Sequence, residues 1–238
     1  MLSIQNLTKS YGKKVAVQNL SLEVNAGEIF GFIGHNGAGK TTTLRCVAGI
    51  LPYTEGVITI DGHDVQKDPL NAKQALAFLP DNPDLYEYLT GVQYLNFIAD
   101  IFRLPADVRT ARIKDHAERF ELSDALQNPI ASYSHGMKQK LAIISALIHE
   151  PKLLILDEPF VGLDPSASHL LKTLLRELCG RGGAVFFSTH VLEVAEKLCD
   201  RVAIIQNGSL IRQGKTADIV GDSSLEDVFL GLQEKEES

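Results

Sequence analysis

The chain is poor in cysteine, has no surplus of basic charge, contains no apolar run of membrane-spanning length and shows no internal repeat. Each shortage excludes something. Its three cysteines, Cys46, Cys179 and Cys199, are odd in number, far apart and free of any C-x-x-C pair. That disfavours both a disulfide framework and a thiolate zinc site, and it fits a reducing cytosol. With 23 Lys and Arg against 30 Asp and Glu, the net charge is −7. The charge balance therefore gives no broad attraction to DNA, RNA or anionic lipid, and local basic patches stay open. The first residues, MLSIQNLTKSYGKK, lack the apolar core of a secretion signal, and the longest apolar run, Leu141 to Ile148, falls far short of the ~20 residues a spanning helix needs. No crossing of a bilayer by this polypeptide alone is expected, so any transport pathway would belong to another chain. Sustained heptads and low-complexity linkers are absent too.

What is present is enough apolar material for a sizeable core: 238 residues, 45% hydrophobic, which suits one large domain or one domain with an insertion. Residues 2 to 33 read as β-rich, with alternation at Leu2, Ile4 and Asn6 and again at Leu20, Leu22 and Val24 before the Asn25-Ala26-Gly27 turn. Val57 to Ile60, closed by Asp61-Gly62, adds a strand. From about Pro83 to Glu150 the pattern turns helical: Thr90 caps a helix through Phe102, Val108 to Phe120 is amphipathic, and Ser134 opens a long helix to His149. After Pro151 strands and helices alternate: Leu153 to Leu156, a helix near Ser166 to Cys179, Ala184 to Ser188, and a helix from Val191 to Cys199. Such alternation predicts parallel strands with right-handed crossovers. Arg201 to Gln206, Asn207-Gly208 and Ser209 to Gln213 read as a hairpin with a type I′ turn. Ser223 to Leu232 reads as a last helix, followed by a charged, frayed tail from Gln233 to Ser238. The expected organisation is an α/β core over residues 1–82 and 151–220, a helical insertion over 83–150, and a C-terminal helix and tail over 221–238.

The stretch Gly34 to Thr42, GHNGAGKTT, matches G-x-x-x-x-G-K-[ST]. Upstream, Glu28 to Ile33 reads as a short apolar strand, and downstream Thr43 to Ile50 suits a buried helix, which is the context the motif requires. Gly34, Gly37 and Gly39 let the backbone curl so that N–H groups, among them those of His35, Asn36, Ala38 and Thr42, turn toward phosphate oxygens at the positive end of a helix. Lys40 adds a full charge at the β and γ phosphates, and the Thr41 hydroxyl is placed to ligate the Mg²⁺ that bridges them. A glycine-rich turn that merely caps a helix is the bland alternative. Leu153 to Pro159, LLILDEP, is an apolar strand ending in two carboxylates, at the strand end where open α/β sheets place ligands. Asp157 is positioned to hold Mg²⁺ through water and Glu158 to polarise the attacking water. Acidic residues also occur at strand ends as solvated caps.

Together these motifs resemble the ATP-binding subunits of ABC transporters, from Tyr11 to the final helix. The resemblance implies a phosphate-loop NTPase core with a mixed sheet, an N-terminal antiparallel β region and a helical subdomain that carries the signature motif. It implies that Tyr11 stacks on adenine, worth roughly 1–3 kcal/mol where base stacking has been measured. A core tyrosine is the alternative. The family's LSGGQ signature is here Tyr133-Ser134-His135-Gly136-Met137, so only Ser134 and Gly136 keep the standard identity. Ser134 and the helix N-terminus can still present donors to the γ-phosphate of a partner subunit, although without the family the stretch is simply a capped helix. Asp81 stands where the family has a glutamine that senses the γ-phosphate; an ionised carboxylate cannot donate a hydrogen bond but can approach Mg²⁺ or its waters. Asp164, in Gly162-Leu163-Asp164, matches the loop that crosses the dimer interface and also reads as a helix start. His190, in FFSTH, matches the switch histidine that contacts γ-phosphate and steadies the catalytic carboxylate. Leu85, Tyr86, Tyr88 and Leu89 form either an exposed protein-binding surface, in the region that abuts the family's membrane subunit, or satellite packing.

The implied function is an ATP-hydrolysing subunit that closes head to tail around two Mg–ATP molecules, as a homodimer or with a second ATP-binding subunit. It would drive a separate integral membrane permease from the cytoplasmic face of the cell membrane as a peripheral protein, without direct contact with nucleic acid. YSHGMKQKL and LEDVFLGL look most like the exporter branch. The rivals are a soluble relative acting on DNA or ribosomes, which would carry a coiled-coil insertion or two tandem cassettes, and a non-hydrolysing ATP clamp.

Overall fold

The structure, a computed structural model, describes residues 1–234. Strands β1 (Leu2–Tyr11) and β2 (Lys14–Val24) form an antiparallel hairpin, and β3 (Ile29–Ile33) runs into α1 (Lys40–Val47). Next come β4 (Glu55–Ile60), β5 (His63–Asp64), α2 (Pro69–Ala75) and β6 (Leu76–Leu79). The helices α3 (Gly91–Ile101), α4 (Ala106–Arg119) and α5 (His135–Leu147) precede β7 (Leu153–Asp157), α6 (Pro165–Gly180), β8 (Ala184–Thr189) and α7 (Leu192–Leu198). The described chain ends with β9 (Arg201–Gln206), β10 (Ser209–Lys215), α8 (Thr216–Val220) and α9 (Leu225–Glu234).

Two sheets result: a four-stranded sheet in the order β2-β1-β4-β5, antiparallel throughout, and a six-stranded sheet in the order β10-β9-β3-β8-β7-β6. In the second sheet every neighbouring pair is parallel except β9 and β10. Side chains alternate across the parallel strands, so the sheet feeds two cores. Ile29, Ile33, Leu154, Leu156, Val185 and Phe187 pack with α3 to α7, whereas Phe30, Phe32, Leu153, Ile155, Ala184 and Phe186 pack with α1 and the antiparallel sheet. This is the predicted α/β fold with a mixed sheet, an antiparallel N-terminal region and an inserted helical segment.

Local signals place most elements. Thr90 closes a capping box with Gln93, its hydroxyl accepting from the Gln93 N–H at 3.3 Å while Gln93 Oε1 accepts from the Thr90 N–H at 2.9 Å. Asn207 and Gly208, at φ 48° and 80°, make the primed hairpin turn between β9 and β10. Several boundaries differ from the sequence reading. α1 begins at Lys40 rather than Thr43, because Gly39, in the left-handed region, starts the helix without a side-chain cap. α4 starts at Ala106 and α9 at Leu225. The predicted frayed tail lies, beyond Glu234, outside the described residues. The aromatic loop before α3 is split: Leu85 is buried and Leu89 half-buried, while Tyr86 and Tyr88 are exposed and stacked at 6.0 Å. All three cysteines are free and buried, and burial pushes the Cys46 and Cys179 thiols up to about 11. They are inert at neutral pH.

Candidate active site

Parallel registration brings three strand ends to one edge. Ile33 lies opposite Thr189, and Asp157 opposite Ser188, so the segments after β3, β7 and β8 emerge side by side at the carboxyl end of the sheet. After β3 the chain turns at Gly34, where a Cβ would meet the Ile205 carbonyl oxygen at 2.5 Å. At Gly39, φ is 108° and a Cβ would meet the Ala16 oxygen at 2.6 Å, so neither position tolerates a side chain. The first N–H groups of α1, which have no acceptor within the helix, face the concavity this loop encloses. Lys40, only 6% exposed, folds back so that Nζ donates to the carbonyls of Gly34 at 2.6 Å and His35 at 3.3 Å.

The two carboxylates differ in setting. Asp157 is buried, and its Oδ1 accepts from the Ser188 hydroxyl at 2.5 Å. Glu158 has φ of 49°, a left-handed conformation that costs a non-glycine residue about 1–3 kcal/mol. Its N–H is held by the Ser188 carbonyl at 3.2 Å and hydroxyl at 3.3 Å. The Glu158 side chain, 13% exposed, is held from two sides. Oε1 lies 3.6 Å from Lys40 Nζ, while Oε2 lies 3.0 Å from His190 Nδ1 and accepts from the His190 N–H at 3.3 Å.

These groups wall a cleft of about 570 Å³. Eleven residues singled out from the sequence line it: Tyr11, His35, Asn36, Gly37, Gly39, Lys40, Thr41, Thr42, Asp81, Asp157 and Glu158. Gly34 and Ala38 are buried beneath it, and His190, half exposed, reaches it through Glu158. Tyr11 is 49% exposed, with Lys9 Nζ 4.9 Å from the ring centroid. A core tyrosine is thereby ruled out. Ser134, Gly136 and Asp164 are not part of this cleft; they meet each other's segments instead. Ser134 caps α5 by accepting from the Met137 N–H at 3.3 Å. Asp164 caps α6 by accepting from the Ala167 N–H at 2.8 Å, and its other oxygen lies 2.9 Å from Lys140 Nζ. The Ala167 N–H first, and Lys140 next, hold the Asp164 carboxyl below the usual range. The His135 ring packs so closely on Gly162 that a Cβ there would lie 2.7 Å from it.

Sequence reasoning overlooked one wall. Lys14, Val15 and Ala16 from the start of β2, with Asn207 and Gly208 from the hairpin tip, complete the cleft. The tip is pinned by the Gly208 N–H donating to the Ala38 carbonyl at 3.0 Å and the Gln18 N–H donating to the Gly208 carbonyl at 2.8 Å. Asn207-Gly208 had signalled a turn, but nothing local says what a turn leans on.

Thr41, Asp81 and Asp157 offer only hard oxygen donors to the cleft, the set that suits Mg²⁺. Among the described residues no group of three or more His, Cys, Asp or Glu could hold a metal unaided. A larger cleft of about 700 Å³ lies between α4 and α6, but its charges are matched within it: Arg119 with Glu177, Arg112 with Glu150, and Lys152 with Asp61.

A parallel sheet that delivers a glycine loop, a buried lysine and paired carboxylates to one edge defines a phosphate-loop nucleotide hydrolase. The comparisons with known proteins narrow the class. The ABC transporter family model matches residues 17–161. The linearmycin resistance ATP-binding protein LnrL of Bacillus subtilis (strain 168) is 36% identical over 239 residues, covering 98% of this chain and 76% of that protein. A solved ATP binding subunit of an ABC transporter superposes with a TM-score of 0.94 at 33% identity, covering 98% of this chain and 99% of the other. The dimeric post-hydrolysis state of the ATP-binding cassette MJ0796, bound to ADP and Pi, superposes with a TM-score of 0.83 at 25% identity, covering 91% of this chain and 99% of the other. The chain belongs to the ABC transporter family, as an ATP-binding subunit that hydrolyses ATP.

Proposed function

We propose that the chain hydrolyses Mg–ATP in the Lys40–Glu158 cleft, as one of two ATP-binding subunits stacked head to tail, and transmits the resulting movement to a separate membrane permease. The observation that carries this reading is the grip on Glu158, whose carboxylate sits between Lys40 and His190 at the mouth of the phosphate loop. Lys40 and the loop N–H groups bind the β and γ phosphates, and Tyr11 stacks on the adenine. Thr41, Asp157 and Asp81 would hold Mg²⁺, which when bound would supply positive charge to neutralise the β and γ phosphates. Glu158 Oε accepts a hydrogen bond from the attacking water and takes up its proton, while His190 fixes the direction of that carboxylate.

Ser134, Gly136 and Asp164 fit the second half of a partner's site. Ser134 and Asp164 are exposed, and all three lie outside their own chain's cleft. A head-to-tail partner would cover the triphosphate with the N-terminus of α5 and exclude water. The relative solved as a dimer with ADP and Pi supports pairing of two such subunits. Among the described residues no helix is long and apolar enough to cross a membrane, which suits a peripheral subunit at the cytoplasmic face. Exposed Tyr86 and Tyr88 suit contact with a permease. Export is the direction favoured by the resistance role in the name of LnrL.

Lys40→Ala tests the reading at its root. It removes the cation that is buried at the loop, so ATP affinity measured by titration is expected to collapse. Undiminished affinity would refute the proposal.

A further inference from the structure

We infer that Ser188 is a positioning residue for the reaction, a single hydroxyl that sets the orientation of Asp157 and the backbone of Glu158 together. The inference rests on the Mg–ATP reading above. Ser188 is fully buried in β8, after a run of four apolar residues, Ala184 to Phe187. Strand alternation puts it on the same face as Ala184 and Phe186, and puts Asp157 on the same face as Leu153 and Ile155. Both therefore point to the side of the sheet that carries α1 and the phosphate loop. Register makes them direct neighbours, Asp157 opposite Ser188.

The hydroxyl serves both acidic residues in opposite senses. It donates to Asp157 Oδ1 at 2.5 Å and accepts from the Glu158 N–H at 3.3 Å. A hydroxyl that donates to a buried carboxylate oxygen satisfies one of that oxygen's acceptor positions within the fold. A carboxylate otherwise rotates through a broad torsional well. With Oδ1 tied into the fold, Oδ2 is left for the cleft that Asp157 lines. The bond to the Glu158 N–H, together with that from the Ser188 carbonyl at 3.2 Å, holds the left-handed turn that aims the Glu158 carboxylate away from the strand and toward Lys40 and His190. Side chains that orient metal-binding groups in this way typically matter about 10–100-fold in metal affinity or activity.

The test uses the full chain and a readout other than turnover: ATP affinity as a function of Mg²⁺ concentration, with EDTA as the metal-free arm and thermal melting as the control for folding. Ser188→Ala is expected to leave metal-free ATP affinity near wild type and to raise the half-saturating Mg²⁺ concentration about 10-fold or more. Ser188→Cys, nearly isosteric with a thiol that donates poorly, carries the same expectation and takes its place if the alanine variant does not fold. Ser188→Thr, which keeps the hydroxyl, restores the wild-type Mg²⁺ dependence. An unchanged Mg²⁺ dependence in the alanine or cysteine variant overturns the inference, as does an equal loss of affinity with and without metal, which marks a merely structural hydroxyl. Asp157→Asn separates the role of Asp157 from that of Ser188. If it too leaves the Mg²⁺ dependence unchanged, the assignment of Asp157 to the metal fails; if it shifts the dependence and the Ser188 variants do not, only Ser188 fails.

Discussion

Replacing Glu158 by Gln changes one charge and almost no volume, in a site where Glu158 is 13% and Lys40 6% exposed. The amide keeps an acceptor for the His190 N–H, now 3.3 Å from Oε2, so the left-handed turn and the cleft should survive. What disappears, on the proposed mechanism, is the group that takes the proton from water. Loss of a positioned base commonly lowers rate by about 10²–10⁴, which is ~2.7–5.4 kcal/mol of barrier at ~1.36 kcal/mol per decade. Binding should move the other way. The substitution removes a negative charge 3.6 Å from Lys40 Nζ, freeing that cation for the phosphates and relieving repulsion of the γ-phosphate, so ATP affinity is expected to be unchanged or tighter. Single-turnover hydrolysis of radiolabelled ATP gives the chemical step, and equilibrium titration gives affinity. His190 lies 3.0 Å from Oε2; if it acts by aiming that oxygen, as proposed, His190→Ala should slow the wild type more than it slows Glu158→Gln. Hydrolysis by Glu158→Gln within about tenfold of wild type, less than ~1.4 kcal/mol of barrier, would refute the assignment of the base.

Tyr11→Ala should weaken ATP binding by roughly 1–3 kcal/mol while Tyr11→Phe stays near wild type, as measured by titration; equal affinities for all three would remove Tyr11 from the base site. Mixing inactive Lys40→Ala with inactive Ser134→Ala subunits should restore ATP hydrolysis, because a head-to-tail pair then contains one site built from an intact loop and an intact signature; no recovery at any mixing ratio would argue against composite sites. His149 gives a pH-dependent prediction. Its ring stacks on Phe102 at 3.6 Å, and burial pushes its pKa down from 6.5 to about 4. The unfolded chain therefore takes up a proton that the native chain refuses, and unfolding free energy should fall by up to ~3 kcal/mol as pH drops from about 6.5 toward 4. Denaturant unfolding of His149→Gln should show a flatter slope over that window, and an identical slope would rule out the ring as its source.

The parts of the site that could be read in advance are those whose chemistry is written in consecutive residues. GHNGAGKTT names its own backbone geometry, and LLILDEP is a buried strand that must end in charge. The caps at Thr90, Ser134 and Asp164 are short-range hydrogen bonds and were readable for that reason. The start of α1 was misplaced because Gly39 begins the helix through φ of 108° and not through a side chain. α2 and β6, of seven and four residues, went unread because so short a stretch carries too little periodicity to distinguish helix from strand.

The harder omissions are of another kind. Nothing near Ser188 announces it: a serine after four apolar residues looks like a strand end, and only the β7–β8 register sets it opposite Asp157. Likewise Asn207-Gly208 reads as a turn wherever it sits, and it becomes a wall of the cleft only because β9 lies beside β3 and holds the tip against Ala38 and Gln18. Motifs thus supply the reacting groups, and strand order supplies their neighbours. A residue that acts only by holding a neighbour across a sheet leaves no motif, because its requirement is one of position. Such residues lie where the strand ends that carry the chemistry pair, as Ser188 lies opposite Asp157.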